Sequence, residues 1–245
     1  MKRILAALML TGFLTGLCRA ETACVYEYKG PVLLLEPGSA VWQTLAKPAP
    51  LKEGSRVKTG AKGFCKILAG DGTLIDLDSN SETVVETLKL EKDGRNYVFN
   101  LIKGKIMWLI PKLKEKISRL EVKTPRAVCA VRGTSFTIVV SSDISNIGLF
   151  EGALDVTAAG KETSLNPGKE ALVGADAEVK VSGRFSKFMQ AEQRRYVKLQ
   201  KYADTLRRKL AAREGYIDDF LNEQDKKLRA REKRIKDRLE KRDKK

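Results

Sequence analysis

Residues 64–77 read FCKILAGDGTLIDL, and this stretch sets the expected fold of the chain. Two short apolar runs, residues 64–68 and 73–77, stand on either side of residues 69–72. An Asp-Gly pair between two such runs is a strong signal for a β-hairpin, because both residue types tolerate positive φ. The stretch therefore predicts two antiparallel strands joined by a tight turn at Asp71 and Gly72.

The same pattern continues on both sides of this hairpin. Short apolar runs recur from residue 24 to residue 181, and turn residues such as Gly, Pro, Asn and Asp separate them. Short strands at this spacing are typical of all-β domains rather than of parallel α/β sheets. We predict a mainly β domain over residues 21–182, built as an antiparallel sandwich or a short β-solenoid. Residues 111–120 (PKLKEKISRL) interrupt the pattern, and we interpret them as a solvated connector.

Residues 1–20 have the composition of a secretory signal peptide. Two cations at the start precede an apolar run over residues 4–17, and Cys18 and Ala20 are small residues at the −3 and −1 sites. The run is shorter than the ~20 residues that span a bilayer. We predict cleavage after Ala20, Sec-type export to the periplasm or the medium, and no transmembrane span in the mature chain. A retained membrane anchor is the alternative.

The 245 residues include no histidine, and this absence excludes several kinds of site. A Ser-His-Asp triad, a Cys-His pair and a His-ligated metal all need that residue. The mature chain would keep Cys24, Cys65 and Cys129, and none of them has the spacing of a redox or zinc pair. Residues 76–82 (DLDSNSE) lack the glycine and the distant glutamate of a calcium loop. The alternation of a strand instead predicts that Asp76 and Asp78 lie on one solvent-facing side. We therefore predict no enzymatic activity, no cofactor and no metal.

The formal net charge of +16 is concentrated near the C-terminus. Residues 184–245 carry 22 Lys and Arg against 11 Asp and Glu, whereas residues 21–183 carry 22 against 20. Apolar residues recur there at steps of three, four and seven, from Met189 to Leu239, which predicts a helix. We predict a basic helical or weak coiled-coil tail over residues 183–245, with a break near Gly215. Its more apolar first segment should pack on the β domain or on a partner.

This tail is the predicted contact surface. Its charge predicts binding to an envelope protein or to an anionic envelope polymer, and its apolar stripe allows self-association through the helix. Export argues against nucleic acid as a partner.

Six motifs, in order along the chain, resemble the FecR domain family, named for the periplasmic part of the ferric-citrate transport regulator. The most specific is residues 124–136, TPRAVCAVRGTSF, which is similar to the family's Arg-Gly-Thr run. The others lie at residues 51–60, 70–77, 101–106, 150–156 and 165–170.

The resemblance implies a β-rich binding or sensing module without enzymatic activity. The best-known members pair the exported domain with a cytoplasmic segment that controls a sigma factor, and this sequence resembles the stand-alone exported members instead. Two functions stay open. One is a binding or sensing module of the cell envelope, and the other is a periplasmic signalling component that acts with a separate transmembrane partner.

Three residues are the candidate ligand contacts: Arg132 and Thr134 of the Arg-Gly-Thr group, and Trp108 in a predicted strand. Local hydrogen bonding and core packing are the alternative roles. The motifs that resemble the family also predict structural turns at Gly54, Gly60, Gly72, Gly133, Gly152 and Gly168.

Overall fold

A continuous β-sheet forms the body of the protein, and two helices follow it in the chain. The computed structural model describes residues 22–91, 94–112, 117–142 and 144–243, and the predicted signal peptide lies outside them. The strands within these residues are β1 (Ala23–Lys29), β2 (Val32–Leu35), β3 (Gln43–Thr44), β4 (Ala49–Leu51), β5 (Arg56–Thr59), β6 (Phe64–Ala69), β7 (Leu74–Leu77), β8 (Glu82–Glu91), β9 (Gly94–Leu109), β10 (Ile117–Lys123), β11 (Val128–Ser141), β12 (Ile144–Ala158), β13 (Lys161–Leu165), β14 (Glu170–Val173) and β15 (Val179–Ser182). The helices are α1 (Lys187–Ala212) and α2 (Tyr216–Asp243).

The long strand β9 organises the sheet. Hydrogen bonds join β9 to β7, β8, β10 and β11 along different parts of its length. The main path through the sheet runs β4, β1, β6, β7, β9, β10, β11, β12, β14 and β15. The hairpin predicted from residues 64–77 is the β6–β7 pair, with Cys65 opposite Leu77. The mainly β fold is confirmed, and a sandwich-like arrangement of the sheet fits the structure.

Aromatic side chains fill the centre of the body. Trp108 lies edge-on to Phe99 with ring centroids 4.9 Å apart, and it stacks over Phe136 at 6.2 Å. All three rings are fully buried, as is the side chain of Tyr97. Large rings of this kind contribute much of the apolar area that stabilises a domain of this size.

Strand β10 corrects the interpretation of residues 111–120. Residues 117–120 begin a strand rather than a connector, and β10 pairs in parallel with β9, Ile117 opposite Gly94 and Lys123 opposite Asn100. Leu120 is only 2% exposed, and Val122 beside it in the same strand is also buried. The run of basic residues at the start of residues 111–120, including Lys112, Lys114 and Lys116, concealed this strand in the sequence. Among the described strand pairings, only that of β9 with β10 is parallel, and the others are antiparallel as expected.

The three cysteines of the predicted mature chain are buried in strands: Cys24 in β1, Cys65 in β6 and Cys129 in β11. Burial raises the pKa of the Cys65 thiol well above its usual range and that of Cys129 to about 12. Because the thiolate is the reactive form of cysteine, Cys65 and Cys129 serve as small apolar residues of the core.

The sheet is buried on both faces where the first helix crosses it. In β9, Ile106 and Trp108 face the main core, whereas Met107 and Leu109 face a second apolar cluster. This cluster joins Leu68, Leu74, Met107 and Leu109 of the sheet to Tyr196, Ala203 and Leu206 of α1. Burial on both faces explains why residues 106–110 form an unbroken apolar run instead of an alternating one.

Helix α1 begins at a defined cap next to the sheet. The Ser186 hydroxyl accepts a hydrogen bond from the Met189 amide at 3.2 Å, which satisfies one of the free amides of the first turn. Glu170 of β14 accepts hydrogen bonds from both the amide and the hydroxyl of Ser186, each at 3.0 Å. The start of α1 is therefore fixed to the end of the sheet.

Met189 in the first turn of α1 fits against Gly148 of β12, and this contact can be tested. A methyl carbon at position 148 would lie 2.2 Å from the Met189 sulfur, and Met189 is fully buried. We expect Gly148→Ala to lower the free energy of unfolding by about 1–3 kcal/mol, the usual cost of overpacking a core. Urea unfolding followed by circular dichroism measures this change.

Gly183→Ala is the matched control, because a methyl group there meets no atom within 4 Å. The control should unfold within about 0.5 kcal/mol of the parent protein, as surface changes usually do. Equal stability of the two alanine variants would contradict the tight fit of α1 on the sheet.

Candidate functional site

The three predicted ligand contacts lie in different surroundings. Trp108 is 0% exposed and belongs to the core, so we do not retain it as a ligand contact. Thr134 is buried as well, and its hydroxyl donates to the Ala153 carbonyl at 3.4 Å. Arg132 pairs with Ala153 through the backbone of β11 and β12, and its side chain lies outside the described part of the chain. A ligand role for Arg132 and Thr134 stays a prediction.

The Arg-Gly-Thr group lies at a bulge between two long strands rather than in a turn. The register between β11 and β12 shifts between Arg132 and Ser135. Gly133 and Gly152 both have positive φ, 53° and 90°. A methyl carbon on Gly152 would lie 2.7 Å from the Gly133 carbonyl oxygen, so that two glycines are needed for the strands to approach each other here. The turn prediction for these two residues is therefore wrong.

The other four predicted turn glycines lie between strands, at the β4–β5, β5–β6, β6–β7 and β13–β14 connections: Gly54, Gly60, Gly72 and Gly168. Their role is to form the connections of the body, and none of them supplies a side chain to a site.

The most concentrated group of charges lies where α1 crosses the sheet, and we name it the α1 ionic cluster: Asp76, Asp78, Lys105, Glu192 and Arg195. Arg195 donates to Asp76 at 2.8 Å and to Asp78 at 2.7 Å. Lys105 lies 2.6 Å from Asp78 and 2.7 Å from Glu192. Two cations therefore bridge three carboxylates, and each carboxylate contacts at least one cation.

Burial and charge act in opposite directions on the two aspartates of this cluster. Burial raises the pKa of Asp76 above its usual value, although Arg195 acts to lower it. Burial also acts to raise the pKa of Asp78. The hydrogen bonds from Lys105, from the Ser79 amide and from Arg195 outweigh that effect and lower the pKa to about 2. Both aspartates are thus tied to the helix.

The cluster also corrects the expectation for residues 76–82. We interpreted Asp76 and Asp78 as facing solvent from one side of a strand, but α1 covers that side. Their carboxylates bind Arg195 and Lys105. Within residues 22–91, 94–112, 117–142 and 144–243, no group of three or more potential ligand side chains could hold a metal ion. The cluster holds a helix in place.

Further polar contacts follow α1 along the sheet. Arg207 donates to the carbonyls of Gly72 and Leu109, at 3.1 Å in each case. Tyr202 donates to Glu27 of β1 at 2.7 Å. These contacts lie on the same side of α1 as its buried apolar residues, so the helix is fixed along its length.

Helix α2 is packed on the body only at its start. The Phe220 ring stacks on Tyr26 of β1 at 4.3 Å, and the hydroxyl groups of Tyr216 and Tyr26 lie 2.8 Å apart. Asp225 pairs with Lys47. Residues 213–215 separate α2 from α1, and Gly215 has a φ of +70°. Two helices thus follow the sheet, with a break between them at residues 213–215.

The second half of α2 leaves the body, and we name residues 226–240 the distal α2. It carries eight Lys and Arg against three Asp and Glu. Every residue from 229 to 240 is exposed. In the described part of the chain, no helix is long and apolar enough to cross a membrane.

Comparison with known proteins identifies the body. Residues 55–155 match the family model for FecR protein, from just before β5 to the end part of β12. The body contains a FecR domain. No curated protein matches the chain.

Two crystal structures of a candidate anti-sigma factor from Parabacteroides distasonis ATCC 8503 are similar to the chain. The structure at 2.50 Å resolution shares 16% identity with a TM-score of 0.47, and the alignment covers 56% of this chain and 62% of that one. The structure at 1.65 Å shares 15% identity at the same TM-score, with coverage of 56% and 63%. The chain thus spans less than two thirds of the length of the protein that it matches.

The FecR domain supplies only part of the α1 ionic cluster. Asp76, Asp78 and Lys105 lie within residues 55–155, whereas Glu192 and Arg195 lie beyond the match. Both helices are outside the matched range. Sequence reasoning missed this cluster because its two halves are more than 80 residues apart, as the Lys105–Glu192 pair is.

The contribution of Asp78 to stability should depend on pH, with a defined sign. A carboxylate whose pKa is lowered by folding, here from 3.8 to about 2, stabilises the folded state above pH 3.8 and loses that contribution as the pH falls toward 2. We therefore expect Asp78→Asn to lower the free energy of unfolding by about 2 kcal/mol at pH 7. This difference should shrink between about pH 4 and pH 2. Urea titrations at several pH values measure it.

Glu162→Gln is the control, since Glu162 is an exposed carboxylate of β13 outside the cluster. Its stability should follow that of the parent protein at every pH. A difference between Asp78→Asn and the parent that stays constant from pH 7 to pH 2 would contradict the role of Asp78.

Proposed function

We infer that the protein is a non-enzymatic binding or sensing component of the cell envelope that makes its contacts through the distal α2. One observation carries this proposal. The charges of residues 21–183 are nearly balanced, and α1, which carries eight basic against two acidic residues, is packed on the sheet, whereas the distal α2 exposes an excess of cations away from the body. Eight basic against three acidic residues give this segment a net charge of +5.

The FecR domain supports a regulatory role rather than catalysis. The polar clusters of the body consist of ion pairs that fix strands or α1. The buried Arg95, for example, pairs with Asp71 and donates to Ser118 and to the Pro111 carbonyl. Satisfied pairs of this kind position structural elements rather than act on a substrate.

Two cavities lie near the helices. A cavity of 310 Å³ at the junction of α1 and α2 is lined by Thr22, Leu90 and residues 213–218, among others. A second cavity, of 510 Å³, lies along the first half of α2 between residues 213 and 229. Thr134 and Trp108 line neither of them.

Export completes the proposal. Residues 1–20 have the pattern of a Sec-type signal peptide, which would deliver the body and both helices to the periplasm or the medium. In that compartment the distal α2 would meet envelope proteins and anionic envelope polymers, and either could neutralise its charge.

Charge neutralisation of the distal α2 tests this proposal in the full chain. Glutamine keeps the helical propensity while removing the charge. The test variant changes eight residues to Gln: Lys226, Lys227, Arg229, Arg231, Lys233, Arg234, Lys236 and Arg238. We expect the parent protein to fractionate with the envelope at low salt and to be released by about 0.5 M salt, at which exposed charges are screened. The variant should be released already at low salt.

The control removes eight exposed cations from the body and α1 instead, so that the net charge is the same: Lys29, Lys62, Lys89, Lys103, Lys161, Lys198, Lys201 and Arg208. It should remain with the envelope. Retention of the distal variant at low salt, or equal release of both variants, would contradict the proposal.

The FecR domain also favours a second candidate, a periplasmic signalling component that acts with a separate transmembrane partner. The two candidates differ in the outcome of gene deletion. Signalling predicts that deletion changes the transcription of a defined set of genes, which RNA sequencing measures. An unchanged transcriptome would contradict this candidate and leave the binding function as proposed.

A further inference from the structure

An apolar stripe runs along α2 from the body into solvent. It consists of Ile217, Leu221, Leu228, Ile235 and Leu239, and we name it the α2 stripe. At 3.6 residues per turn, these positions fall within about 40° of one another around the helix. The stripe is buried at its start, where Ile217 is 4% exposed, and open at its end, where Ile235 and Leu239 are 48% and 52% exposed. The apolar face that packs on the body at Ile217 therefore continues into solvent, where no described residue covers Ile235 and Leu239.

The two sides of this stripe differ in charge. One side carries four cations at steps of four, three and four, and no acid of the distal α2 lies among them. We name it the basic flank: Lys227, Arg231, Arg234 and Arg238. The other side, the mixed flank, also carries four cations, but acids lie between them: Lys226, Arg229, Lys233 and Lys236.

Ion pairing within the helix differs slightly between the flanks: two of the four cations of the mixed flank pair with a described side chain, against one of the four of the basic flank. On the mixed flank, Arg229 pairs with Asp225 and Lys236 with Glu240. On the basic flank, Lys227 pairs with Glu223. Arg231, Arg234 and Arg238 have no ion pair with any side chain that the structure describes. Three of the four cations of the basic flank therefore have no counter-charge among the described side chains.

We propose that the distal α2 binds an amphipathic helix of a partner protein, one with an apolar seam and an acidic side. The apolar seam would pack on Leu228, Ile235 and Leu239. Its acidic side would face the basic flank, as oppositely charged flanking positions do in paired helices. The proposal rests on the proposed function of the distal α2, and it names the chemistry of the partner.

The shape of the stripe favours a helix over a membrane surface. A stripe only about 40° wide is the narrow seam of a coiled coil, whereas helices that lie in a membrane interface have a broad apolar face rich in bulky residues. Ile235 and Leu239 are the exposed large apolar residues of the distal α2, and it contains no aromatic residue.

Charge favours a foreign helix over a second copy of this chain. Two distal segments would bring net charges of +5 together along a seam with few apolar residues. An acidic helix removes that repulsion and satisfies the basic flank. Charge complementarity therefore selects the partner.

A synthetic acidic helix is the probe for this proposal. It is a fluorescent peptide of about 28 residues with Leu at heptad positions a and d and Glu at e and g, long enough to form a stable paired helix. Fluorescence anisotropy measures its binding to the full chain. A peptide with Lys at e and g serves as the control peptide and should not bind.

Two variants with equal charge separate a specific seam from general attraction. The first changes the basic flank, Lys227, Arg231, Arg234 and Arg238, to Gln, and the second changes the four cations of the mixed flank to Gln. We expect the first to weaken binding of the acidic peptide about tenfold, as the loss of four exposed pairs would. The second should weaken it by less than about threefold. Ile235→Gln with Leu239→Gln should also weaken binding about tenfold.

Several results would overturn the proposal. Equal loss of affinity in the two flank variants would indicate a general polyanion site. Stronger binding to vesicles of phosphatidylglycerol and phosphatidylcholine than to the peptide would indicate a membrane surface. A dimer in sedimentation analysis that Ile235→Gln with Leu239→Gln abolishes, together with no peptide binding, would indicate a second copy. Each of these results leaves envelope retention intact, so failure here is distinguishable from failure of the proposed function.

Discussion

The docking of α1 on the sheet is the interaction on which the rest of the structure depends. Without the helix, Leu68, Leu74, Met107 and Leu109 would form an exposed apolar face beside the buried Asp76. The apolar contacts supply the driving force, but they are tolerant of sliding. The ionic cluster does not tolerate sliding, because a shift of α1 by one turn would separate Arg195 from Asp76. The buried Asp76 carboxylate would then lack its counter-charge. The cluster therefore selects one register among several that the apolar face permits.

A fixed α1 determines where α2 can go. Gly215 allows the chain to turn, and the stacking of Phe220 on Tyr26 holds the first part of α2 against β1. Once the body ends, the same helical face continues into solvent because the period of α2 does not change. The position of the distal segment is thus a consequence of the turn at Gly215 and the contact of Phe220, eleven and six residues before it.

Local patterns in the sequence predict the elements of this protein much better than their contacts. The hairpin of residues 64–77 and the helical period after residue 184 follow from spacing alone, and both correspond to elements of the structure. The burial of Asp76 could not be predicted in the same way. Alternation along a strand shows which residues share a side, but not which side is buried. Which side is covered depends on a helix that begins more than 100 residues later. The same limit applies to Trp108, whose core neighbours come from β7, β9 and β11. It also applies to β10, because no local pattern in the sequence indicates its parallel pairing with β9.

The charge of the distal α2 cannot be explained by the needs of the helix itself. Helices gain stability and solubility from pairs of opposite charge at i and i+4, each contributing about 0.3–0.5 kcal/mol, and the mixed flank is built in that way. If helix stability were the only requirement, the basic flank would carry interleaved acids as well, since Glu is as good a helix former as Lys or Arg. Instead, Arg231, Arg234 and Arg238 lie next to an open apolar stripe and repel one another. Such an arrangement costs a small amount of free energy in the isolated protein, and a partner that brings the opposite charge would offset that cost.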